Sequence, residues 1–186
     1  MSEREIDKKE DERYVLSFFL DAYERTTGVH LYCEPHFVNN ESPDFICQSP
    51  EGAPLGIEIT KVLIRPNIKS EITIPGQNVK LDAYAAAEAV LNAIKCKDKK
   101  RCSSHWHYPD STILVIQLLD ANLPEFESFL LNNDLRDDFQ HSGFREIWVI
   151  NHDSVESYGN ASLFGLSPLR WWGSHDRLNH DQKPYG

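Results

Sequence analysis

The sequence predicts an α/β domain built on a mixed sheet. Three observations point there. An apolar stripe at helical spacing lies near the N-terminus, three short β-rich segments follow it, and two continuous apolar runs of strand length stand later in the chain with a helical segment between them. The resulting order of helix, three strands, helix, strand, helix, strand is that of a layered domain with helices packed on a sheet.

Each element has its own signature. From Glu12 to Arg25, Val15, Leu16, Phe19 and Tyr23 form one face of a helix, widened by Phe18 and Ala22, and Gly28 suits the residue that closes it. "VHLYCEPHFV" (29–38) is rich in β-formers and reads as a strand interrupted by Pro35. "PDFICQ" (43–48) and "PLGIEITKVLI" (54–64) read as two strands joined through "SPEGAP", a hairpin loop longer than the tightest type. "RPNIKSEITIPGQN" shows little periodicity. "VKLDAYAAAEAVLNAIKCK" (79–97) is Ala-rich, lacks Gly and Pro, and ends in lysines that complement the helix dipole. "STILVIQLLD" (111–120) and "FREIWVINHD" (144–153) read as central strands, and "LPEFESFLLNNDL" (123–135) as a helix with Pro124 near its first position. Residues 1–10 read as a flexible N-terminus, and 11–186 as one domain ending in a polar C-terminal tail.

Composition narrows the function. The chain has 186 residues, 40% hydrophobic and 26% charged, with a formal net charge of −10. A protein that coats nucleic acid by charge alone would be basic, so contact with nucleic acid has to be local or carried by metal ions. No apolar run is long enough for a membrane span, and the charged start is followed by no signal-peptide core, which gives a cytoplasmic expectation. Cys33, Cys47, Cys96 and Cys102 show no framework spacing; Cys33 and Cys47 read as small core residues with free thiols.

The stretch "SPDFICQSPEGAPLGIEIT" (42–60) carries the chemistry. Asp44 opens one strand and Glu58 lies inside the next. An antiparallel hairpin brings opposite residues to about 5 Å, so both carboxylates can share one site, and two carboxylates with water suit Mg²⁺ or Mn²⁺. Alternation gives Thr60 the same face as Glu58 and turns Lys61 to the other.

Pro43-Asp44, the hairpin and Glu58-Ile59-Thr60 resemble the motif of the PD-(D/E)XK nuclease superfamily, and the element order over residues 10–153 resembles its restriction-endonuclease-like fold. The resemblance implies a three-layer domain, a central mixed β-sheet flanked by helices. It also implies Mg²⁺- or Mn²⁺-dependent hydrolysis of phosphodiesters, DNA before RNA, by metal-activated water. Asp44, Glu58 and the main-chain carbonyl of Ile59 would be ligands. The superfamily's lysine falls at Thr60, so its place passes to Lys80 on the following helix or to Thr60 itself. Glu12, an acid in line with the apolar stripe of the first helix, would face the site.

Other features carry alternatives. Lys95, Lys97, Lys99, Lys100 and Arg101 are five cations in seven residues, either a solvated helix end or a local patch for DNA phosphates. Cys96, Cys102, His105 and His107 match no common zinc spacing. Trp171 and Trp172 can stack on bases, cap a core or line a homodimer interface. An acid at 44 in a turn and at 58 on a solvent face would be plain structure. A catalytically inactive nucleic-acid-binding or regulatory module, or a structural interaction domain, is the rival to a nuclease.

Overall fold

A computed structural model describes residues 3–33, 43–63, 78–102, 106–119, 123–151 and 161–175. The second half of the strand expected over 29–38, the excursion after 64 and the polar tail from 176 lie outside the described residues, as do His36 and His105. Among the described residues, three α-helices, α1 (Glu3–Thr27), α2 (Asn78–Arg101) and α3 (Leu123–Asn132), pack on one seven-stranded sheet. Its strands are β1 (Tyr32–Cys33), β2 (Phe45–Gln48), β3 (Pro54–Leu63), β4 (Thr112–Leu119), β5 (Glu146–Asn151), β6 (Ser162–Ser167) and β7 (Gly173–His175). They stand in the sheet in chain order. β3, β4 and β5 are parallel and the outer pairings antiparallel, so the sheet is mixed. No helix among the described residues is long and apolar enough to cross a membrane.

Alternation along the strands splits the core into two layers. Val15, Leu16, Phe19 and Tyr23 of α1 pack against Phe45, Ile57, Ile59, Ile113 and Trp148 on one face. Ala86, Val90 and Ile94 of α2 and Phe126 and Leu130 of α3 cover Val62, Leu114, Ile116 and Val149 on the other. Each large apolar side chain fully buried in this way contributes about 1.5–3 kcal/mol. Gly28, at φ +71°, closes α1 with its N–H on the Glu24 carbonyl at 2.8 Å.

Three expectations need correction. The expected flexible N-terminus is helical from Glu3: its charged residues are good helix formers although they offer no apolar stripe. Two strands, β6 and β7, extend the sheet into the C-terminal part that the sequence reading gives no element. Cys33 and Cys47 face each other across β1 and β2 with Cα atoms 4.1 Å apart and form a disulfide instead of standing as free thiols. Of the alternatives for Trp171 and Trp172, the core cap is the one seen: Trp171 lies 5.6 Å from Trp148 on the α1 face, and Trp172 lies 5.5 Å from Phe164 on the other.

A buried acid anchors that last segment. Glu146, at the start of β5, accepts the indole N–H of Trp148 at 2.9 Å on Oε2, and that of Trp171 at 3.2 Å on Oε1. The Arg170 guanidinium donates to Oε1 at 3.4 Å. Tyr23 of α1 lies in the same cluster; burial, then the charge of Glu146, pushes its hydroxyl well above the usual phenol range.

Candidate active site

The site is built on the β2–β3 hairpin. Gly52, at φ +79°, makes the turn, and its N–H donates to the Ser49 carbonyl at 2.8 Å. The register sets Phe45 opposite Ile57, and one further step along both strands sets Asp44 against Glu58. Pro43 fixes the entry to β2 by lying flat on Gly56, where a Cβ would come within 2.6 Å of the Pro43 Cγ. Asp44 is therefore placed by packing on both sides of it. Its Oδ2 accepts the main-chain N–H of Ile59 at 2.8 Å.

Glu58 is 2% exposed. Its Oε1 pairs with the ammonium group of Lys97, which reaches down from α2. Its Oε2 is buried and has no hydrogen-bond partner of ordinary geometry among the described residues, and the nearby main-chain N–H of Asp44 offsets only in part the rise in pKa that burial gives Glu58. Glu12 of α1, 8% exposed, adds a third acid; Lys8, one turn earlier, pairs with its Oε1 at 3.2 Å. Burial raises the pKa of all three carboxyls, and the charge of Asp44 pushes Glu58 and Glu12 further in the same direction. The Lys97 charge opposes the rise at each of them. The pKa of Lys8 is raised by its hydrogen bond to Glu12, and more weakly by Asp44 and Glu58.

Thr60, half-exposed, follows Glu58 by two residues on the same face of β3. Lys61 turns to the α1 face, where it pairs with Asp11 at 3.0 Å. Lys80 lies in the first turn of α2, and its side chain is outside the described residues. The lysine that reaches the acids from α2 is Lys97, about 25 Å further along the helix axis at 1.5 Å per residue. In the sequence Lys97 stands within a run of cations that reads as a surface patch. Its spacing held the signal: Ala83, Ala87, Val90, Ile94, Lys97 and Arg101 continue one stripe at intervals of three and four.

The same stripe breaks up the expected basic patch. Arg101, 9% exposed, donates to Asp98 at 2.9 Å and Asp110 at 3.2 Å and lies over Phe144. Only Lys95, Lys99 and Lys100 of the five cations are exposed. Cys96, Cys102 and His107 are likewise exposed.

Among the described residues, no group of three or more His, Cys, Asp or Glu side chains is arranged to hold a metal ion. The hairpin pair nonetheless suits a small divalent cation that keeps most of its waters, since such an ion needs only one or two carboxylates. Oε2 of Glu58 is an orphaned acceptor, and Asp44 keeps one oxygen beyond that held by Ile59. The Ile59 N–H is committed to Asp44, so a ligand role for this residue rests on its carbonyl. Comparison of the chain with protein-family models, with curated proteins and with solved structures finds no match.

Proposed function

We propose that this is a divalent-metal-dependent phosphodiesterase of restriction-endonuclease-like architecture that acts on nucleic acid, DNA in the first place. One observation carries the reading: a buried, unpartnered carboxylate oxygen on Glu58, paired across a hairpin with Asp44. A carboxylate is seldom buried without a use for its charge, and removing it from water is costly unless a cation compensates.

Asp44 and Glu58 would hold Mg²⁺ or Mn²⁺, with the Ile59 carbonyl as a further donor. Bound there, such an ion would supply Lewis-acid polarisation of a phosphoryl oxygen and would lower the pKa of a water it holds. The Ile59 N–H holds Asp44 in one orientation, which keeps its second oxygen aimed at the site. Glu12, displaced toward its protonated form, borders the same charges. Lys97 supplies the cation that Thr60 cannot, and the Thr60 hydroxyl is left for water. Lys95, Lys99 and Lys100 offer phosphate contacts at the end of α2.

The rival is a nucleic-acid-binding module with the same fold and no catalysis. It is favoured by Thr60 in the lysine position and by the net charge of −10. Folded protein incubated with single- and double-stranded DNA and RNA in Mg²⁺ or Mn²⁺ separates the two. Cleavage abolished by EDTA, by Asp44→Ala and by Glu58→Ala is the expected result. Mn²⁺ binding without cleavage of any substrate favours the rival, and absence of Mn²⁺ binding overturns the metal reading.

A further inference from the structure

We infer that Lys97 is the built-in counter-cation of the carboxylate site, so that its pairing with Glu58 and the loading of a divalent ion compete. The inference rests on the metal reading above and concerns how that site is regulated.

The geometry makes Lys97 an unusual lysine. It occupies a core-facing position of α2, and its side chain is 21% exposed against 3% for that of Glu58, which it contacts. A lysine at a helix end has free water within reach, and its four-carbon stem is flexible enough to take it there. Here it turns inward onto one oxygen of a buried acid instead. Its charge is also felt by Asp44 and Glu12, which Lys8 of α1 serves as well, so two ammonium groups stand against three carboxylates and only Lys97 touches Glu58. The second oxygen of Glu58, buried and without a partner, shows that this service is incomplete.

A divalent ion held by Glu58 and Asp44 would lie within a few ångströms of that ammonium group. In a partly buried site such repulsion weakens ion binding by about tenfold or more. Lys97 therefore keeps the ion-free hairpin folded and holds ion affinity down. When the ion enters, Glu58 no longer needs the ammonium, and Lys97 becomes available to an anionic group of the substrate. Loading of the site and release of the lysine are then one event. An ion pair with only a structural role would behave differently: deleting Lys97 would leave ion affinity unchanged, or lower it by disordering Glu58.

The test is Mn²⁺ titration calorimetry on the full chain at pH 8, well above the ordinary carboxylate range, with melting temperatures measured with and without Mn²⁺. Lys97→Met and Lys97→Gln should bind Mn²⁺ about tenfold or more tightly than wild type. They should melt lower without the ion and show a larger rise on its addition. Lys97→Arg, which keeps the charge, should bind like wild type. Glu58→Gln should abolish binding with or without Lys97. If wild type binds in a Glu58-dependent way and Lys97→Met and Lys97→Gln bind no more tightly, the competition is refuted while the metal site stands. If neither wild type nor the Lys97 variants bind Mn²⁺, the metal reading and the competition fall together. Should Lys97→Met not fold, Lys97→Gln, which keeps a hydrogen-bond donor for Glu58, gives the decision alone.

Discussion

Oδ2 of Asp44 accepts the main-chain N–H of Ile59 at 2.8 Å, so the acid on one strand is latched to the residue just after the acid on the other. The latch holds two like charges together that would otherwise separate. Burial raises the pKa of Asp44, Glu58 and Glu12, and the charge of Asp44 raises the other two further.

A carboxyl whose pKa is raised by folding binds protons more readily in the folded state. Without metal, these acids therefore lower stability as pH rises from the ordinary carboxylate range, about pH 4, through their raised values. Asp44→Asn keeps the acceptor for Ile59 and removes the charge. In EDTA at pH 8 it should melt a few degrees above wild type, since about 1 kcal/mol moves the melting point of a chain this size by about 2–4 °C. The gap should close as pH falls towards 5, and Mn²⁺ should reverse the order. A gap that widens on acidification would show that Asp44 is not under strain from its neighbours.

Removing one partner of a buried ion pair leaves a charge without compensation, which costs about 3–5 kcal/mol. Lys97→Ala should approach that loss in urea unfolding at pH 8 without metal. Glu58→Gln in the same chain should recover most of it. An additive double mutant would mean the pair is not coupled.

Gly56 has no room for a side chain, because a Cβ would lie 2.6 Å from Pro43 Cγ and 2.8 Å from Thr112 Oγ1. Gly56→Ala should cost about 1–3 kcal/mol through overpacking. It should also push Pro43 and Asp44 off β3 and weaken the thermal response to Mn²⁺ by more than the drop in stability alone. Gly52→Ala, in the hairpin turn, serves as the control for a drop in stability that leaves Pro43 in place.

The cations at the end of α2 divide by role. Replacing Lys95, Lys99 and Lys100 together with Gln should leave the melting temperature within about a degree. It should flatten the slope of log affinity against log salt by about 0.9 for each phosphate of B-DNA that is no longer neutralised. Arg101→Ala should instead unfold at clearly lower urea, because Asp98 and Asp110 lose their partner and Phe144 its cover. Salt titrations that superimpose for wild type and the triple variant would exclude the surface lysines from binding.

Alternation and the helical stripe made much of this legible. Val15, Leu16, Phe19 and Tyr23 marked the buried face of α1, and the apolar runs of β4 and β5 marked the middle of the sheet. The shared face of Glu58 and Thr60, with Lys61 opposite, followed from period two alone. What stayed hidden depended on pairings distant in sequence. The disulfide needs the register of β1 against β2, which no spacing reveals. β6 holds a glycine and ends before a proline, and both weaken a strand reading. Yet Gly165 is where the Trp171 carbonyl crosses too closely for any Cβ. Lys97 was hidden by its company, a lysine on a core stripe inside a run of surface lysines.

The strands stand in the sheet in the order in which they are made, so each can dock on its predecessor as the chain leaves the ribosome. Glu146 interrupts that convenience. Trp148 can meet one of its oxygens at once, but Trp171, a partner of the other, is synthesised 25 residues later. Both oxygens of Glu146 are satisfied only with the segment holding Arg170 and Trp171 in place, so the cover of this buried acid on the α1 face is assembled from two stretches of chain far apart in sequence.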